Sequence, residues 1–546
     1  MADEAPRPGR DRLESLGEAL LRAGVLAIPL MCLAGIFLLT AGTDESFLLL
    51  HIRGLVEHGR IGEGSLMHSS HTLSTSGPYT LATSLLSWIG KGNLQLVRLM
   101  SVLSLAGMIV VLLRLADRTR GRRDPDRWLV PASLLIVHGL FLLGSQAYGE
   151  VLATTLLLTG ILLWVELPPG SWGRRLWTGA VLGMAVAARL NCLPVFAVLG
   201  ASWLTIRGDR RTEFRDAVVS VGTGLLVFGL EWGLFLQLAH DPMAPSLWRG
   251  DFGLGAGVSE PLAYILPKRL GFYLISQDHL ALGVAAGISA AWCCWARRRV
   301  ADPRAGDILL GFAWLEGLAW LLKAPIPHLR YLWPSLVAFA AVGGLGLSAA
   351  YQAAAESGSR VFRRGILTVV LAGMCSGYLE GTRIYLHGES DVLSFEYQRA
   401  TEPRLQYGPF KCLLAQGAVI RHLQGLPPEQ GVATFTMDTA LAYHTRRPIV
   451  PILCYYLEQY SYYLPRPLGD RAPTFPRWLV VTPLVNRLPD CQFPAKLHDW
   501  MTKNCRLEAR YGPYLLYEVL GPYPSTPEVF QLDLWEPSFP GSSRKP

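Results

Sequence analysis

Two adjacent carboxylates stand directly after the first long apolar run of the chain. Asp44 and Glu45 follow "FLLTAGT", and the chain then continues as "SFLLLHIRGLVEHG", which has helical rather than loop character. A carboxylate at a membrane boundary can act as a general base toward an acceptor hydroxyl. Two or three carboxylates can instead hold a divalent cation. Acids in the first turn of a helix can also simply favour the helix dipole, so the pair allows a structural explanation as well.

The composition indicates an integral membrane protein. Of 546 residues, 51% are hydrophobic and only 17% are charged, and the chain contains 16 Trp. The net charge of +8 comes from arginines in short clusters between apolar runs. That distribution is typical of the cytoplasmic loops of polytopic membrane proteins and argues against nucleic-acid binding.

Apolar runs long enough to cross a bilayer recur along the first 382 residues. They cover residues 23–41, 93–116, 128–146, 150–166, 217–239, 279–296, 307–322, 332–351 and 366–382. The run 177–206 is longer and is interrupted by "RLNCLP", which predicts two short crossings joined by a turn at residues 189–194. The prediction is therefore about eleven membrane spans. The first run is preceded by more than twenty residues and lacks a good cleavage site, so it is expected to be a span rather than a signal peptide.

Six arginine clusters test this arrangement. They read "RPGRDR", "DRTRGRRDPDR", "GSWGRR", "RGDRRTEFR", "ARRRVADPR" and "SGSRVFRR", and with eleven spans all of them lie on one side. The positive-inside rule makes that side cytoplasmic, with the N-terminus inside and the C-terminal region outside. A further apolar segment, 77–90, would break this pattern as a span and is expected to lie along the outer surface.

The residues that could do chemistry collect on the opposite, outer face. The first outer loop, 42–92, carries Arg53, His68 and His71 besides the acid pair, and later turns carry Tyr148, Glu150, Arg189, Lys323, His328 and Arg330. Carboxylates come early and cations come late. Arginine and lysine at this depth suit a lipid-linked phosphate, because their donors match its oxygens and their charge offsets its own.

Structural explanations compete for several of these residues. Arg330 can snorkel to the interface, Glu150 can cap the fourth span, and loop histidines are usually solvated, with no His-x-x-x-His spacing here. Glu231 and Glu316 lie deeper within spans, where a carboxylate either has a function or makes a hydrogen bond inside the bundle.

The order of these segments resembles the GT-C superfamily of membrane glycosyltransferases, and most closely its bacterial polyprenyl-phosphate-dependent branch, which includes arabinofuranosyl- and mannosyltransferases. The resemblance rests on "TDESFLLLHIRGLVEHGRIG" with the following "HSSHTLSTSGPYTLATSLLSWIG", and on "GSQAYGE", "GAVLGMAVAARLNCLPVF" and "HLRYLWPSLVAF". It implies a polytopic helical fold with juxtamembrane helices in the first outer loop. It covers about residues 20 to 380, and the later region more loosely.

The resemblance also implies roles for individual residues. Asp44 is the leading catalytic base, Glu45 its neighbour or alternate, and Glu150 the second acid. Arg330 is the first candidate for the donor phosphate, with Lys323, His328 and Arg189 as further candidates. Arg53, His68, His71 and Tyr148 would line the acceptor side or the first loop. No cofactor is assigned: Mg²⁺ or Mn²⁺ stays open, because the second-loop motif has Glu rather than Asp and lacks an acidic pair.

The chain changes character near residue 383. The predicted organisation is a cytoplasmic segment (1–22), a transmembrane catalytic module (23–382), an extracytoplasmic α/β domain (383–530) and a disordered tail (531–546). "GVATFTMDTALAYHTRRPIVPIL" predicts strand, short helix and strand, and "RWLVVTPLV" and "YLLYEVL" predict two more strands. Cys412, Cys454, Cys491 and Cys505 lie in this region. An outer compartment would permit a disulfide, and Cys491 and Cys505 are close in sequence, but the pairing stays open.

The function expected from these observations is an inverting transfer of a sugar from a polyprenyl-phosphate donor to a hydroxyl of an envelope glycan, lipid or protein. The protein would lie in the cytoplasmic membrane and act at its outer face. One alternative is a lipid-linked sugar flippase or transporter, which would place its charges near the midplane in two matching halves. Another is a non-catalytic subunit of an envelope assembly. The charges cluster at one interface and no internal repeat is visible, which favours the enzyme.

Overall fold

The computed structural model describes residues 12–39, 45, 52, 55–56, 88–89, 94–121, 125–137, 139–204, 209–239, 279–323, 332–387, 409–427, 430–434, 441, 445, 449–451, 476–481, 495–512 and 514–522. Its helices in these ranges are α1 (Arg12–Leu38), α2 (Leu94–Arg120), α3 (Leu129–Ala132), α4 (Leu140–Ser145), α5 (Gly149–Glu166), α6 (Trp172–Ala188), α7 (Pro194–Ala201), α8 (Arg210–Ala239), α9 (His279–Cys294), α10 (Arg304–Lys323), α11 (Trp333–Glu356), α12 (Arg360–His387), α13 (Pro409–Gly425) and α14 (Ala495–Asn504). The strands are β1 (Val432–Thr434), β2 (Ile449–Pro451), β3 (Trp478–Val481), β4 (Cys505–Tyr511) and β5 (Tyr514–Val519).

Six of these helices are long and apolar enough to cross a membrane: α1, α2, α5, α8, α11 and α12. The chain is accordingly an integral membrane protein. The other predicted crossings correspond to α6, α7, α9, α10 and the α3–α4 region, so the total of eleven spans stays a prediction. In the first outer loop, the six residues that the structure describes are all helical. The predicted surface segment 77–90 otherwise lies outside the described residues.

The third predicted span, 128–146, is not one continuous helix. It consists of a 3₁₀ turn (Pro125–Trp128), α3, a second 3₁₀ turn (Ser133–Ile136) and α4. The break falls at Val137, which is extended, and at Gly139, whose φ of 75° favours glycine. Apolar composition alone does not show such a break, because α3 and α4, on either side of it, are both buried and largely apolar.

The interruption predicted within 177–206 is confirmed. Helix α6 ends at Ala188, and Arg189 is extended, with φ of −154° and ψ of 118°. A single 3₁₀ turn (Leu190–Cys192) follows, and Pro194 then occupies the first turn of α7, where its missing N–H costs nothing.

The arginine clusters meet at one end of the helix bundle, which we call the arginine-rich end. Arg118 lies 4.0 Å from Asp302, and Arg304 lies 3.7 Å from Glu213. Arg174 in turn lies 2.8 Å from Glu213, so the second, third, fourth and fifth clusters are connected through carboxylates. The sequence predicted that these clusters share one side, and the structure brings them together.

Arg174 is the most completely enclosed of these arginines. It is fully buried, stacks 3.8 Å above the ring of Trp164 and donates to the Trp164 carbonyl at 2.9 Å. Its remaining partners are Glu213 and Asp216, at 2.8 and 3.2 Å. Such a charge is tolerated in an apolar interior only because the guanidinium is paired with carboxylates and a carbonyl oxygen.

Helices α6 and α8 touch backbone to backbone. A Cβ added to Gly179 would lie 2.4 Å from the carbonyl oxygen of Ser220, and one added to Gly183 would lie 2.4 Å from that of Gly224. The two glycines are four residues apart on α6, the spacing that lets membrane helices approach closely. The seam between α6 and α8 therefore depends on the absence of side chains.

Replacing Gly183 by leucine is expected to destabilise the protein by about 1–3 kcal/mol, since the new side chain forces the helices apart. Thermal unfolding of the detergent-solubilised protein should show a lower midpoint. Gly222 on α8 is the matched control, because a Cβ there meets nothing within 4 Å. Equal midpoints for Gly183→Leu and Gly222→Leu would contradict the close packing.

The C-terminal region contains one sheet of five strands in the order β2-β1-β3-β5-β4. β1 pairs in parallel with β2 and β3, and β5 pairs antiparallel with β3 and β4. Helix α13 packs on β4 and β5 and also contacts α12 and α1, which connects the sheet to the membrane helices. The four predicted strands are confirmed, whereas β4 was missed: its side chains are largely exposed, so it lacks an apolar stripe.

The cysteine prediction is only partly testable. Cys505 is a free thiol at the start of β4, and burial raises its pKa to about 12. A thiol with that pKa stays protonated at neutral pH and is a weak nucleophile. Cys454 and Cys491, like the tail 531–546, lie outside the described residues, as does the side chain of Cys412.

Candidate active site

The end of the bundle opposite the arginine-rich end carries the acids, and we call it the acid end. Here the C-terminus of α1, the start of α2, the turn between α4 and α5, and the residue Glu45 come together. Glu45 is fully buried, and its carboxylate faces Arg98 on the first turns of α2. The sequence analysis did not identify Arg98 as a site residue.

Both oxygens of Glu45 are occupied. Arg98 donates from Nε to Oε1 at 2.7 Å and from Nη2 to Oε2 at 2.6 Å, a bidentate pair. The backbone N–H of Ala147 donates to Oε1 as well, at 2.7 Å. A carboxylate held by three donors and shielded from solvent is poorly placed to take a proton from a substrate. Its geometry is that of a structural anchor.

Arg98 also caps the end of α1. Its Nη1 donates to the carbonyl oxygens of Ile36 and Leu39 at 2.9 and 2.8 Å. The last carbonyls of a helix have no partner within it, and inside a membrane no water replaces that partner. Arg98 therefore connects the end of the first span to the acid that follows it.

Apolar contacts support the same arrangement. Ile52 of the first outer loop is buried in a small cluster with Val97 of α2 and Ala147. Val56, one helical turn later, packs against this cluster. The helical segment after the acid pair therefore lies against the same turn that Glu45 contacts.

Glu150 and Arg189 form the second ion pair of the acid end. Glu150 lies in the first turn of α5 and is fully buried, and Arg189 Nη2 donates to its Oε1. Among the residues that the structure describes, neither Glu150 Oε2 nor Arg189 Nε has a hydrogen-bond partner. Unlike Glu45, this pair keeps one acceptor and one donor available.

A third buried carboxylate lies nearby. Glu316 of α10 accepts a hydrogen bond from Ser335 at the start of α11, and only 2% of its surface is exposed. The 3₁₀ turn that follows Arg189 (Leu190–Cys192) contacts α10, the helix that carries Glu316. Of the two intramembrane carboxylates named from the sequence, Glu316 is thus the one that borders the predicted site residues through described contacts.

The structure places only part of the predicted site. Glu45, Tyr148, Glu150 and Arg189 lie at the acid end; Tyr148 is buried just before α5. Lys323 is the last residue of α10, and nothing of its side chain is described. The other predicted site residues lie outside the described part of the chain: Asp44, Arg53, His68, His71, His328 and Arg330.

A sequence signal for Arg98 existed. It is the one charge within "LQLVRLMSVLSLAGMIVVLL". A charged side chain inside an apolar span needs a specific partner. The sequence analysis concentrated on loop residues and missed this one.

The described residues do not provide a metal site. No group of three or more His, Cys, Asp or Glu side chains among them is arranged to hold a cation. Glu45 in particular has both oxygens engaged by Arg98 and Ala147, so it does not fit the role of a metal ligand. We therefore derive no step that passes through a metal.

No protein-family model and no curated protein sequence matches the chain. Solved structures do match. The crystal structure of ArnT from Cupriavidus metallidurans bound to undecaprenyl phosphate aligns over 92% of this chain and 99% of that chain, with a TM-score of 0.60 and 16% identity. The chain has the ArnT fold. The apo form of the same ArnT gives a TM-score of 0.58 over the same shares of the two chains, also at 16% identity.

The ArnT likeness confirms the fold expected from the sequence. A polytopic helical protein with a small C-terminal sheet was predicted from the GT-C resemblance, and the ArnT structures match it along nearly the whole chain. At 16% identity the match establishes the ArnT fold and not an activity.

Proposed function

We propose that this protein is a membrane glycosyltransferase that takes a sugar from a polyprenyl-phosphate donor and transfers it to an acceptor hydroxyl at the extracytoplasmic face. The observation that carries the proposal is the fold shared with ArnT, whose crystal structure holds undecaprenyl phosphate. The acids and cations that the sequence predicts at the outer face support the same donor class. The sheet, which α13 connects to α1 and α12, would then lie on the acceptor side.

The geometry of the acid end favours Asp44 as the general base. Glu45 is excluded from that role by its three hydrogen bonds, and Glu150 is paired with Arg189. Asp44 would take the proton of the acceptor hydroxyl while the hydroxyl oxygen bonds to the anomeric carbon. The bond from that carbon to the phosphate oxygen breaks, and its electron pair leaves with the polyprenyl phosphate. One displacement of this kind inverts the anomeric configuration.

The leaving group needs cations rather than an acid, because a phosphate leaves well as an anion. Arg330, Lys323, His328 and Arg189 are the proposed contacts of the donor phosphate, since guanidinium and ammonium groups match its oxygens. Arg189 is the one whose position the structure describes. Its Nε, which has no partner among the described residues, would donate to the phosphate while Nη2 stays with Glu150. The acceptor side of the site is assigned to Arg53, His68, His71 and Tyr148.

The proposal is tested with the purified full-length protein and a panel of radiolabelled polyprenyl-phosphate sugars, with membrane extract as the source of acceptors. Transfer from one donor, with release of polyprenyl phosphate and no transfer from the matching nucleotide sugar, is the expected result. A protein that moves the lipid-linked sugar across vesicle membranes without transferring it would be a flippase, and the proposal would be wrong.

A further inference from the structure

We propose that Arg98 is a positioning residue of the catalytic centre, which holds Glu45 and, through Glu45, the turn that carries Glu150. This inference rests on the proposed function, because it assigns Arg98 its effect on the transfer reaction. Arg98 itself would touch neither the donor nor the acceptor.

The first step is that Arg98 cannot serve as a phosphate ligand. Only 1% of its surface is exposed, and four of its hydrogen bonds go to Glu45, Ile36 and Leu39. A guanidinium has five N–H donors, so nearly all of the hydrogen bonds that Arg98 can donate are made within the protein. Its influence on chemistry must therefore pass through the groups that it holds.

The second step is that Glu45 in turn contacts the segment that carries another candidate acid, Glu150. Ala147, which donates to Glu45 at 2.7 Å, is three residues before Glu150 in the same turn. A shift of the Glu45 carboxylate therefore removes the acceptor of the Ala147 N–H and loosens the turn that carries Glu150.

The third step concerns the size of the expected effect on the reaction rate. A misplacement of about 1 Å in a catalytic group can cost roughly 10²-fold in rate. Lysine would not replace arginine here, because a single ammonium cannot span the carboxylate of Glu45 and the two carbonyls at the end of α1. Arg98→Lys should consequently lose most of what Arg98→Gln loses.

The experiment compares Arg98→Gln with Arg174→Gln in the full-length protein, using the donor that wild type turns over. Arg174 is the matched control, because it is equally buried and paired but lies at the arginine-rich end. Arg98→Gln should lower kcat per folded molecule about 10²-fold with KM for the donor nearly unchanged. Arg174→Gln should lower the unfolding midpoint but leave kcat per folded molecule as in wild type.

Two results would overturn the inference. One is an Arg98→Gln variant that, like Arg174→Gln, is less stable than wild type but keeps its kcat per folded molecule. The other is a rise in KM at constant kcat, which would make Arg98 a donor contact. Glu45→Gln adds a further check: the double variant with Arg98→Gln should be no slower than the slower single variant, because both break one interaction. If the rate losses of the two single variants multiplied in the double variant, Arg98 and Glu45 would not act through one interaction.

Hydrogen exchange separates this inference from the proposed function. Peptides covering residues 145–150 should exchange faster in Arg98→Gln than in Arg174→Gln, because the Ala147 N–H loses its fixed acceptor. If wild type transfers no sugar while this difference is seen, the proposed function fails and the connection from Arg98 to the turn stands. Unchanged exchange would show that Arg98 does not hold the turn, whatever the activity.

Discussion

Replacing Asp44 by asparagine is expected to lower the rate of sugar transfer about 10²–10³-fold in a protein that stays folded, because a general base contributes an effect of that size. Asparagine keeps the size and the hydrogen bonding of the side chain but cannot accept the proton. The measurement is single-turnover transfer from the polyprenyl-phosphate donor, with the folded fraction checked by size-exclusion chromatography.

A small external base distinguishes this loss from a loss of geometry. Formate added to Asp44→Ala should restore part of the activity, because it can occupy the vacated volume and take the proton. Glu45→Gln should also be slow, but formate should not restore it, since its defect is the broken contact with Arg98. If Asp44→Asn is as active as wild type, Asp44 is not the base, and Glu150 becomes the candidate.

Replacing Asp216 by alanine is expected to destabilise the fold by about 3–5 kcal/mol, the cost of leaving a buried charge without its partner. Asp216 is fully buried, accepts from Arg175 at 2.6 Å and from the Gly170 N–H at 2.7 Å, and also binds Arg174. Unfolding followed by intrinsic fluorescence in detergent should show the loss, and the tryptophans of the chain provide the signal.

Asp209→Ala is the control for this prediction. Asp209 directly precedes α8, the helix that carries Asp216, but it is exposed and accepts from the backbone N–H groups of Arg211 and Thr212. The hydroxyl of Thr212 also donates to it and holds its pKa below the usual range. Its loss should therefore cost less than that of Asp216. Comparable destabilisation by the two variants would mean that the buried network contributes little.

Much of the architecture follows from sequence because membrane spans and strands leave strong local patterns. The break within 177–206 was predicted from Arg189 to Pro194, since a charge, an asparagine and a proline together cannot continue an apolar helix. The strands β1, β2, β3 and β5 were predicted from apolar runs, and β1, β3 and β5 are indeed largely buried in the sheet. The meeting of the arginine clusters followed from their spacing between spans.

The contacts that shape the acid end were not predictable in the same way. The pairing of Glu45 with Arg98 joins residues 53 positions apart, and no local pattern specifies it. The Ala147 N–H is a backbone group, and its role depends on the turn rather than on the side chain. The break at Val137 and Gly139 was missed because the helices on either side of it, α3 and α4, are both largely apolar and buried. Asp44 and Glu45 thus look equivalent in the sequence, and only the three-dimensional partners of Glu45 identify it as an anchor.

The glycine seam between α6 and α8 limits how a lipid-linked donor can reach the reaction centre. Where Gly179 and Gly183 lie against the backbone of α8, the space is too narrow for a single methyl group. An isoprenoid chain cannot slide between these two helices. The outer face of α8, where Leu226 and Leu230 are exposed, would contact bulk lipid without offering it a passage toward α6. A lipid donor of the proposed kind would then have to enter between other helices of the bundle.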